Sequence, residues 1–311
     1  MILVAGSANL DFVVRADHIP APGETVLGRD FKTFPGGKGA NQAVACARAG
    51  GVATHMLLAL GNDAFAKPLE ESLDGAGVQL HTVREPFHPT GTAFICLSKA
   101  GENAITVAPG ANTCLRPEHL PKLTGFTHLL LQLETPLHTV RAYAQAARHA
   151  GVAVVLNAAP AQVLEPELLA LVDILVVNEG ELATVAQHSG SIAECLAQLN
   201  VPTVVVTLGS HGCLARHQGT LHWQTAFAVN PVDTTGAGDT FCGSLCAALS
   251  QGQSLPDALL YASAAAALAC TKLGAQSSVP TALEVATLLQ QQADTNNPTA
   301  LAALRALCGL N

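Results

Sequence analysis

The sequence predicts an α/β fold: a central, mostly parallel sheet with helices on both faces, plus a small β-sheet lid. Three observations predict it. Short, almost continuous apolar runs alternate with segments of helical length, the pattern of a parallel sheet covered on both sides. Several of these runs end in polar or glycine-rich turns, where open α/β sheets gather ligands. Two β-rich stretches, about 12–34 and 92–107, break the rhythm and are set off by Pro and Gly turns. The 311 residues suffice for one large α/β domain spanning 1–311, with those two stretches as its lid segments.

The elements follow in order. The first strand, 2–5, runs into a polar turn at 6–11. The first lid stretch holds Val13-Val14 and Thr25-Val26-Leu27. A glycine-rich loop then opens a helix over 40–49. Strand 54–60 ends in Gly61-Asn62-Asp63, and a helix over 68–76 follows. The second lid stretch sets 93–97 against 104–107 around a hairpin turn at 98–104. Strands at 128–132, 153–157, 174–177 and 203–207 alternate with helices at 136–150, 166–171, 180–186 and 192–199. Polar turns close several of these strands, at 157–160, 178–181 and 208–212. A helix of small apolar residues follows Asp239, and an Ala-rich helical run surrounds 262–270. The chain closes with a polar break after Asp294 and a short Leu/Ala helix.

Composition excludes several function classes. Lys and Arg total 15 against 23 Asp and Glu, a formal charge of −8. Charged residues are 12%, about half the roughly 25% of an average globular protein. Nucleic-acid binding runs on clustered Lys and Arg, so none is expected. At 49% apolar the chain is no disordered polymer. Its apolar runs are well short of the ~20 residues that span a bilayer, so no membrane partner is expected either. The start, MILVAGSANLD, reads as a strand and not as a basic leader. The nine cysteines are scattered without a CxxC, which suits reduced thiols and a cytoplasmic location. Cys242 and Cys246 share a helix face without a second ligand pair, and the twelve histidines form no HExxH-type cluster.

The sharpest chemical signal is NPVDTTGAGDTFCGSLCAAL, residues 230–249. Gly236, Ala237 and Gly238 let backbone N–H groups converge at a helix start, an anion hole that needs no charged side chain. Asp239 then stands where an anion would repel it. A carboxylate there can take the proton of a hydroxyl that attacks a phosphoryl group. From His217 to Thr271 there is no Lys or Arg, while Asp233, Asp239 and Asp257 lie inside that window. If phosphate binds here, backbone dipoles and bound cations must supply most of the positive field. The segment is not a P-loop, since GxxxxGK[ST] is absent. It is not a dinucleotide fingerprint either, since Phe241 stands at the third glycine position.

The second signal is FPGGKGANQA, residues 34–43. Gly36 and Gly37 permit close backbone approach, and Asn41, donor and acceptor at once, suits neutral hydroxyls. Asp11, in the polar turn after the first strand, can take two adjacent hydroxyls.

GGKGANQA and DTTGAGDTF, about 200 residues apart and in this order, resemble the ribokinase family of carbohydrate and nucleoside kinases. Accessory stretches extend the resemblance over about residues 1–292: NLD at 9–11, PAPGET at 20–25, GENAITVAPGAN at 101–112, QLETP at 132–136, NAAPA at 157–161, NEGE at 178–181, TLGSHG at 207–212 and KLGAQSSVP at 272–280. The resemblance implies ATP-dependent phosphorylation of a primary hydroxyl, with D-ribose converted to ribose 5-phosphate as the leading expectation. It implies a sugar pocket of Asp11, Gly37, Lys38, Asn41 and Glu134, an anion hole at Gly236–Gly238, and Asp239 as base. Asn178 and Glu181 would stand near the phosphates and Mg2+. Thr207, Gly209 and Gly212 would border the nucleotide, and Ser263 would face the adenine. Asp233 and Thr235, with Cys270, Gly274 and Ser278, resemble the loop pair that holds a monovalent cation, K+.

Ser263, Cys270, Lys272 and Ser277 depart from residues common in the family at these places. A nucleoside or another sugar is the alternative acceptor, although 4% aromatics leave few stacking partners for a base. A non-catalytic sugar or nucleotide sensor is the alternative of a different class, and Asp239 beside Gly-Ala-Gly speaks against it. The resemblance also implies a homodimer paired through the lid strands.

Overall fold

The computed structural model describes residues 1–100, 102–292 and 297–310. Nine strands form the main sheet, in the order β13-β12-β11-β10-β9-β8-β1-β4-β5. They are β1 (Ile2–Ala5), β4 (Thr54–Gly61), β5 (Gln79–Glu85), β8 (His128–Leu131), β9 (Ala153–Asn157), β10 (Ile174–Asn178), β11 (Thr203–Thr207), β12 (Gly212–His217) and β13 (Thr220–Thr225). All neighbours pair in parallel except β11–β12 and β12–β13. A smaller sheet, in the order β3-β2-β6-β7, holds β2 (Asn9–Arg15), β3 (Arg29–Gly36), β6 (Gly91–Leu97) and β7 (Asn103–Ala108).

Alternation along the apolar strands divides the core in two. Ile2, Val4, Met56, Leu58, Leu130, Val155, Val176 and Val205 are buried with one helical layer. That layer is α1 (Lys38–Val44), α2 (Ala66–Gly75), α7 (Ala237–Ser250), α8 (Leu255–Ala269) and α9 (Ala282–Gln291). Their neighbours in sequence, such as Leu3, Leu57, Leu129, Leu156 and Val206, point the other way. They pack against α3 (Leu137–His149), α4 (Pro166–Leu169), α5 (Glu179–Ala186), α6 (Ile192–Ala197) and α10 (Pro298–Leu307). The strands are therefore apolar on both faces, as in other sheets with helices on each side.

The main differences from the sequence reading lie at the edges. β5 and the β12–β13 hairpin flank the sheet, and neither reads as a buried run because half-covered edge strands carry polar residues such as His81, Arg84 and His222. Residues 25–27 form no strand; Leu27 is 93% exposed, and the pairing partner of β2 is 29–36 instead. The helix expected over 40–49 starts at Lys38 and widens into one π turn over Ala45–Ala49. In the hairpin turn at 98–104, Ser98 N–H donates to the Glu102 carbonyl at 2.9 Å, while Gly101 lies outside the described residues, as does most of the break after Asp294.

β1 lies between β8 and β4, so the chain order reverses there. A crevice opens outside the carboxyl ends of strands at such a switch point. On one side α1 packs directly on α7. At Gly243 a Cβ would lie 2.5 Å from the Gln42 carbonyl oxygen and 2.6 Å from Ala45 Cβ. Gly243→Ala must push the two helices apart, and an overpacked contact of this kind costs about 1–3 kcal/mol. Urea unfolding should show that loss as a lower midpoint with an unchanged m-value.

Candidate active site

The crevice is built from four chain crossings. The turn after β1 brings Ser7, whose Oγ donates to Glu134 Oε2 at 2.5 Å. Glu134 lies just beyond β8, and the same oxygen accepts the Lys38 N–H at 3.0 Å. One carboxylate thus joins the ends of β1 and β8 to the start of α1. The approach needs glycine. Gly37 has φ +89° and a Cβ there would lie 2.7 Å from the Asn9 nitrogen; at Gly36 it would lie 2.2 Å from Asp11 Oδ2. Behind these, Asn112 accepts the Ala8 N–H at 3.0 Å and donates to Asn9 Oδ1 at 2.8 Å.

Asp239 stands in the first turn of α7 and is held by α1. Asn41 Nδ2 donates to its Oδ2 and Gln42 Nε2 to its Oδ1, each at 2.9 Å. Gln42 Nε2 also donates to Asn157 Oδ1 at 2.9 Å, and its Oε1 accepts from Gln132 Nε2 at 2.7 Å. This amide chain ties Asp239 to the ends of β8 and β9. The buried Asn41 Oδ1 and Gln132 Oε1 have no partner within the described protein, so both offer an acceptor to a ligand hydroxyl or water. Gly236 precedes α7 with φ 74°, and no side chain caps the helix. Ala237 N–H turns back to the Thr234 carbonyl at 3.2 Å; the other leading N–H groups of a helix without a side-chain cap can meet an anion.

The charges converge here. Burial first, then the Glu134 and Asp239 carboxylates, push the Asp11 carboxyl up to about 7. Lys38 is drawn down by burial, but Asp239, Glu134 and Glu181 outweigh that and hold its ammonium firmly protonated. Burial raises Glu181 as well, against the lowering pull of the Asn178 N–H and of Lys38. Glu134 and Asp239 raise Asp11, and Asp239 raises Glu181, an excess of negative charge facing Lys38. A bound divalent cation would relieve it.

The residues expected on the nucleotide side lie at the ends of β10 and β11. Asn178 and Glu181 cap α5 reciprocally: Glu181 N–H donates to Asn178 Oδ1 at 2.9 Å and Asn178 N–H to Glu181 Oε2 at 2.8 Å. Hard carboxylate and amide oxygens of this kind suit Mg2+, directly or through water. Thr207 ends β11, and Gly209 and Gly212 frame the turn beyond it with φ 54° and 111°. Ser263 is buried on α8, its Oγ 3.8 Å from Cys213 Sγ.

The two loops 232–235 and 270–278 come together and strap each other. Asp233 Oδ1 accepts the Thr235 N–H and Oδ2 the Gly274 N–H, both at 2.9 Å. Burial works against ionisation of Asp233, yet these bonds hold its carboxyl below the usual range. The Cys270 carbonyl accepts two N–H groups, from Val232 at 2.7 Å and Asp233 at 3.2 Å. Both of its lone pairs are therefore engaged, which makes it a strap and a poor cation ligand. Ser278 is buried and its Oγ donates to the Ala275 carbonyl at 3.0 Å. Asp233 keeps spare lone pairs, so the pair of loops still fits a monovalent cation through oxygens other than that of Cys270. A Cβ on Gly236 would lie 2.9 Å from Ala275 Cα, so this loop also backs the start of α7. A cleft of about 320 Å³ runs from Asp11, Val13 and Lys32 on the small sheet to Asp233, Thr235 and Gly274.

Sequence reasoning assigns no role to Ser7, Gln42, Gln132, Asn112 or Asn157. All five sit inside the polar turns or motif stretches it singles out, but an amide or hydroxyl reads the same whether it holds a neighbour or faces solvent. Their spacing in the chain, up to 115 residues for Gln42 and Asn157, hides the network.

Comparison with known proteins agrees with this geometry. The family model described as pfkB family carbohydrate kinase matches residues 1–282. The ribokinase of Haemophilus influenzae is 38% identical over 303 residues, covering 93% of this chain and 98% of that protein. The ribokinase of Bacillus subtilis is 37% identical, covering 93% and 99%. Among solved structures, Arabidopsis thaliana ribokinase complexed with ribose and ATP superposes with a TM-score of 0.84 at 35% identity, over 93% of this chain and 98% of that one. Thermotoga maritima ribokinase also gives 0.84, at 36% identity over 93% and 99%. A carboxylate at the start of an uncapped helix, held by amides of a glycine-rich loop, thus sits in a chain that belongs to the pfkB family of carbohydrate kinases.

Proposed function

We propose that this protein transfers the γ-phosphoryl group of ATP to the 5-hydroxyl of D-ribose. The observation that carries the reading is Asp239, fixed by Asn41 and Gln42 beside an uncapped helix start and within the field of Asp11 and Glu134. Ribokinases that cover 93% of the chain at 37–38% identity support ribose as the acceptor, as does a structural relative complexed with ribose and ATP.

The residues divide the work. Asp11 and Asn41 hold sugar hydroxyls, Glu134 sets the pocket wall through Ser7 and the Lys38 N–H, and Gly37 keeps the loop close. Asp239 accepts the proton of the attacking 5-hydroxyl. The oxygen bonds to the γ-phosphorus as the bridge to the β-phosphate breaks, and ADP carries away the electron pair. N–H groups of Gly236 and Gly238, with that of Ala237 once it leaves the Thr234 carbonyl, meet the charge that spreads over the transferring oxygens. Lys38, poised between Asp239 and Glu181 in charge, spans the sugar and phosphate sides. Thr207, Gly209 and Gly212 border the nucleotide, with Ser263 beneath it in the core. Asn178 and Glu181 would hold Mg2+, which would neutralise phosphate charge. Asp233, Thr235, Gly274 and Ser278 would hold K+, whose charge would serve a segment without Lys or Arg from 217 to 271.

The small sheet is a lid over the sugar. Its inner face carries Asp11 and its outer face stacks Phe12 on Phe94, with ring centroids 5.3 Å apart. Phe31 and Phe94 on that outer face are 63% and 53% exposed, and a second copy of the chain covers them in a homodimer.

Three measurements test this reading. A coupled ADP-release assay across ribose, deoxyribose, fructose and nucleosides, in K+ and in Na+ at constant ionic strength, should favour ribose and K+; a nucleoside preference would sink the ribose assignment. Asp239→Asn should lower turnover by about 10²–10⁴ and leave ribose affinity within a few-fold, and near-normal turnover would remove Asp239 as base. Asp11 gives a pH test. Its folded carboxyl titrates near 7 and its unfolded one near 3.8. Between those values the folded chain keeps a proton the unfolded chain has lost, so stability falls as pH rises through that window. Asp11→Asn should therefore stabilise the ligand-free protein at pH 8 by about 1–3 kcal/mol, with no gain at pH 4, while weakening ribose far more than ATP. Thermal melts at the two pH values read the sign.

A further inference from the structure

Away from the crevice, three side chains of different chemistry converge. Glu85 ends β5, His88 lies in the loop that follows, and Cys114 closes a short 3-10 turn over Gly110–Cys114. One carboxylate oxygen, one imidazole nitrogen and the thiol sulfur all lie within 4.8 Å of one another. The phosphotransfer chemistry uses none of them. Tetrahedral zinc bonds of about 2.0–2.3 Å place their donors about 3.3–3.8 Å apart, so small side-chain rotations close the set.

The backbone beneath is already tied. Ala111 N–H donates to the Pro89 carbonyl at 2.7 Å, which joins the loop of His88 to the turn of Cys114. Thr90 N–H donates to Asp63 Oδ2 at 2.7 Å, and Thr90 Oγ1 accepts the Gly61 N–H at 3.0 Å. These bonds anchor the loop to the end of β4. Donors carried on segments held in this way need little reordering to bind.

We propose that Glu85, His88 and Cys114 form a site for a borderline divalent transition ion of the Zn2+ class, with water in the fourth position. The donor set selects the class. Thiolate with imidazole favours Zn2+ over Mg2+, Ca2+ or K+, which take oxygen. Binding exchanges the thiol proton of Cys114, released to solvent, for the metal–sulfur bond.

Its position gives the site a consequence. β6 begins at Gly91, just after His88, and β7 ends at Ala108, just before the turn that holds Cys114. The two strands are one antiparallel pair, and the ion joins both of its stems to β5 of the main sheet. The same turn carries Asn112, which holds Ala8 and Asn9 at the crevice. A bound ion therefore stiffens the root of the small sheet.

Co2+ is the probe, added to the full chain after EDTA treatment. The wild type should bind one equivalent with a thiolate-to-cobalt band in the near ultraviolet and tetrahedral bands in the visible, both bleached by Zn2+. His88→Ala, at an exposed position, should weaken binding at least tenfold with an unchanged melt in EDTA, and Cys114→Ala should abolish the near-ultraviolet band. No such band in the wild type, or the same band in both variants, overturns the site. Hydrogen exchange reads the coupling: amides of β6 and β7 should slow on adding Zn2+ to the wild type and not to His88→Ala. Unchanged exchange in the wild type overturns the stiffening.

Discussion

The hydrogen bonds from Asn41 and Gln42 to Asp239 are the constraint on which the site depends. They reach across 198 and 197 positions of sequence and set the start of α7 against the start of α1. Two neutral amides grip a carboxylate without neutralising it. Asp239 is thereby oriented, with one amide donor on each oxygen and lone pairs left over. The close helix contact at Gly243 lets α1 and α7 approach near enough for this grip. The amide relay through Gln42 to Asn157 and Gln132 carries the same alignment into the parallel sheet.

Around that grip the electrostatics are one-sided. Asp11, Glu134, Glu181 and Asp239 act on one another, and Lys38 is the cation that answers them. Backbone dipoles at a helix start can offset such charge for a polyanionic ligand. Net charge alone would have argued against phosphate binding. The distribution of charge turns the argument round, because the positive field comes from N–H groups that no composition counts.

The central sheet is legible in the sequence because β1, β8, β9, β10 and β11 are apolar on both faces and begin and end at turns. β5 and the β12–β13 hairpin are not, because an edge strand half-covered by protein mixes His, Arg and Thr with its apolar residues. The motif glycines are legible as close approaches, and Gly36 and Gly37 lie against Asp11 and Asn9. The loops at 232–235 and 270–278 meet as the pair the sequence suggests, but backbone acceptors leave no mark in side-chain identity. That is why the Cys270 carbonyl, with two N–H partners, reads from sequence as a ligand and from geometry as a strap. The supporting amides stay silent for the opposite reason: Gln42 and Gln132 are ordinary residue types whose meaning lies wholly in their distant partners.

The small sheet has a consequence for how the chain acquires its shape. Its two central strands, β2 and β6, lie side by side in parallel, so no hairpin can make that pair. Between them the chain runs through β3, α1, β4, α2 and β5. Closing so long a loop costs entropy that only a scaffold already in place can offset. β2 and β6 meet once β1, β4 and β5 have aligned, which makes the small sheet a late product of folding. A fragment holding just its strands would lack the means to assemble. The cover over the crevice thus depends for its existence on the body it covers.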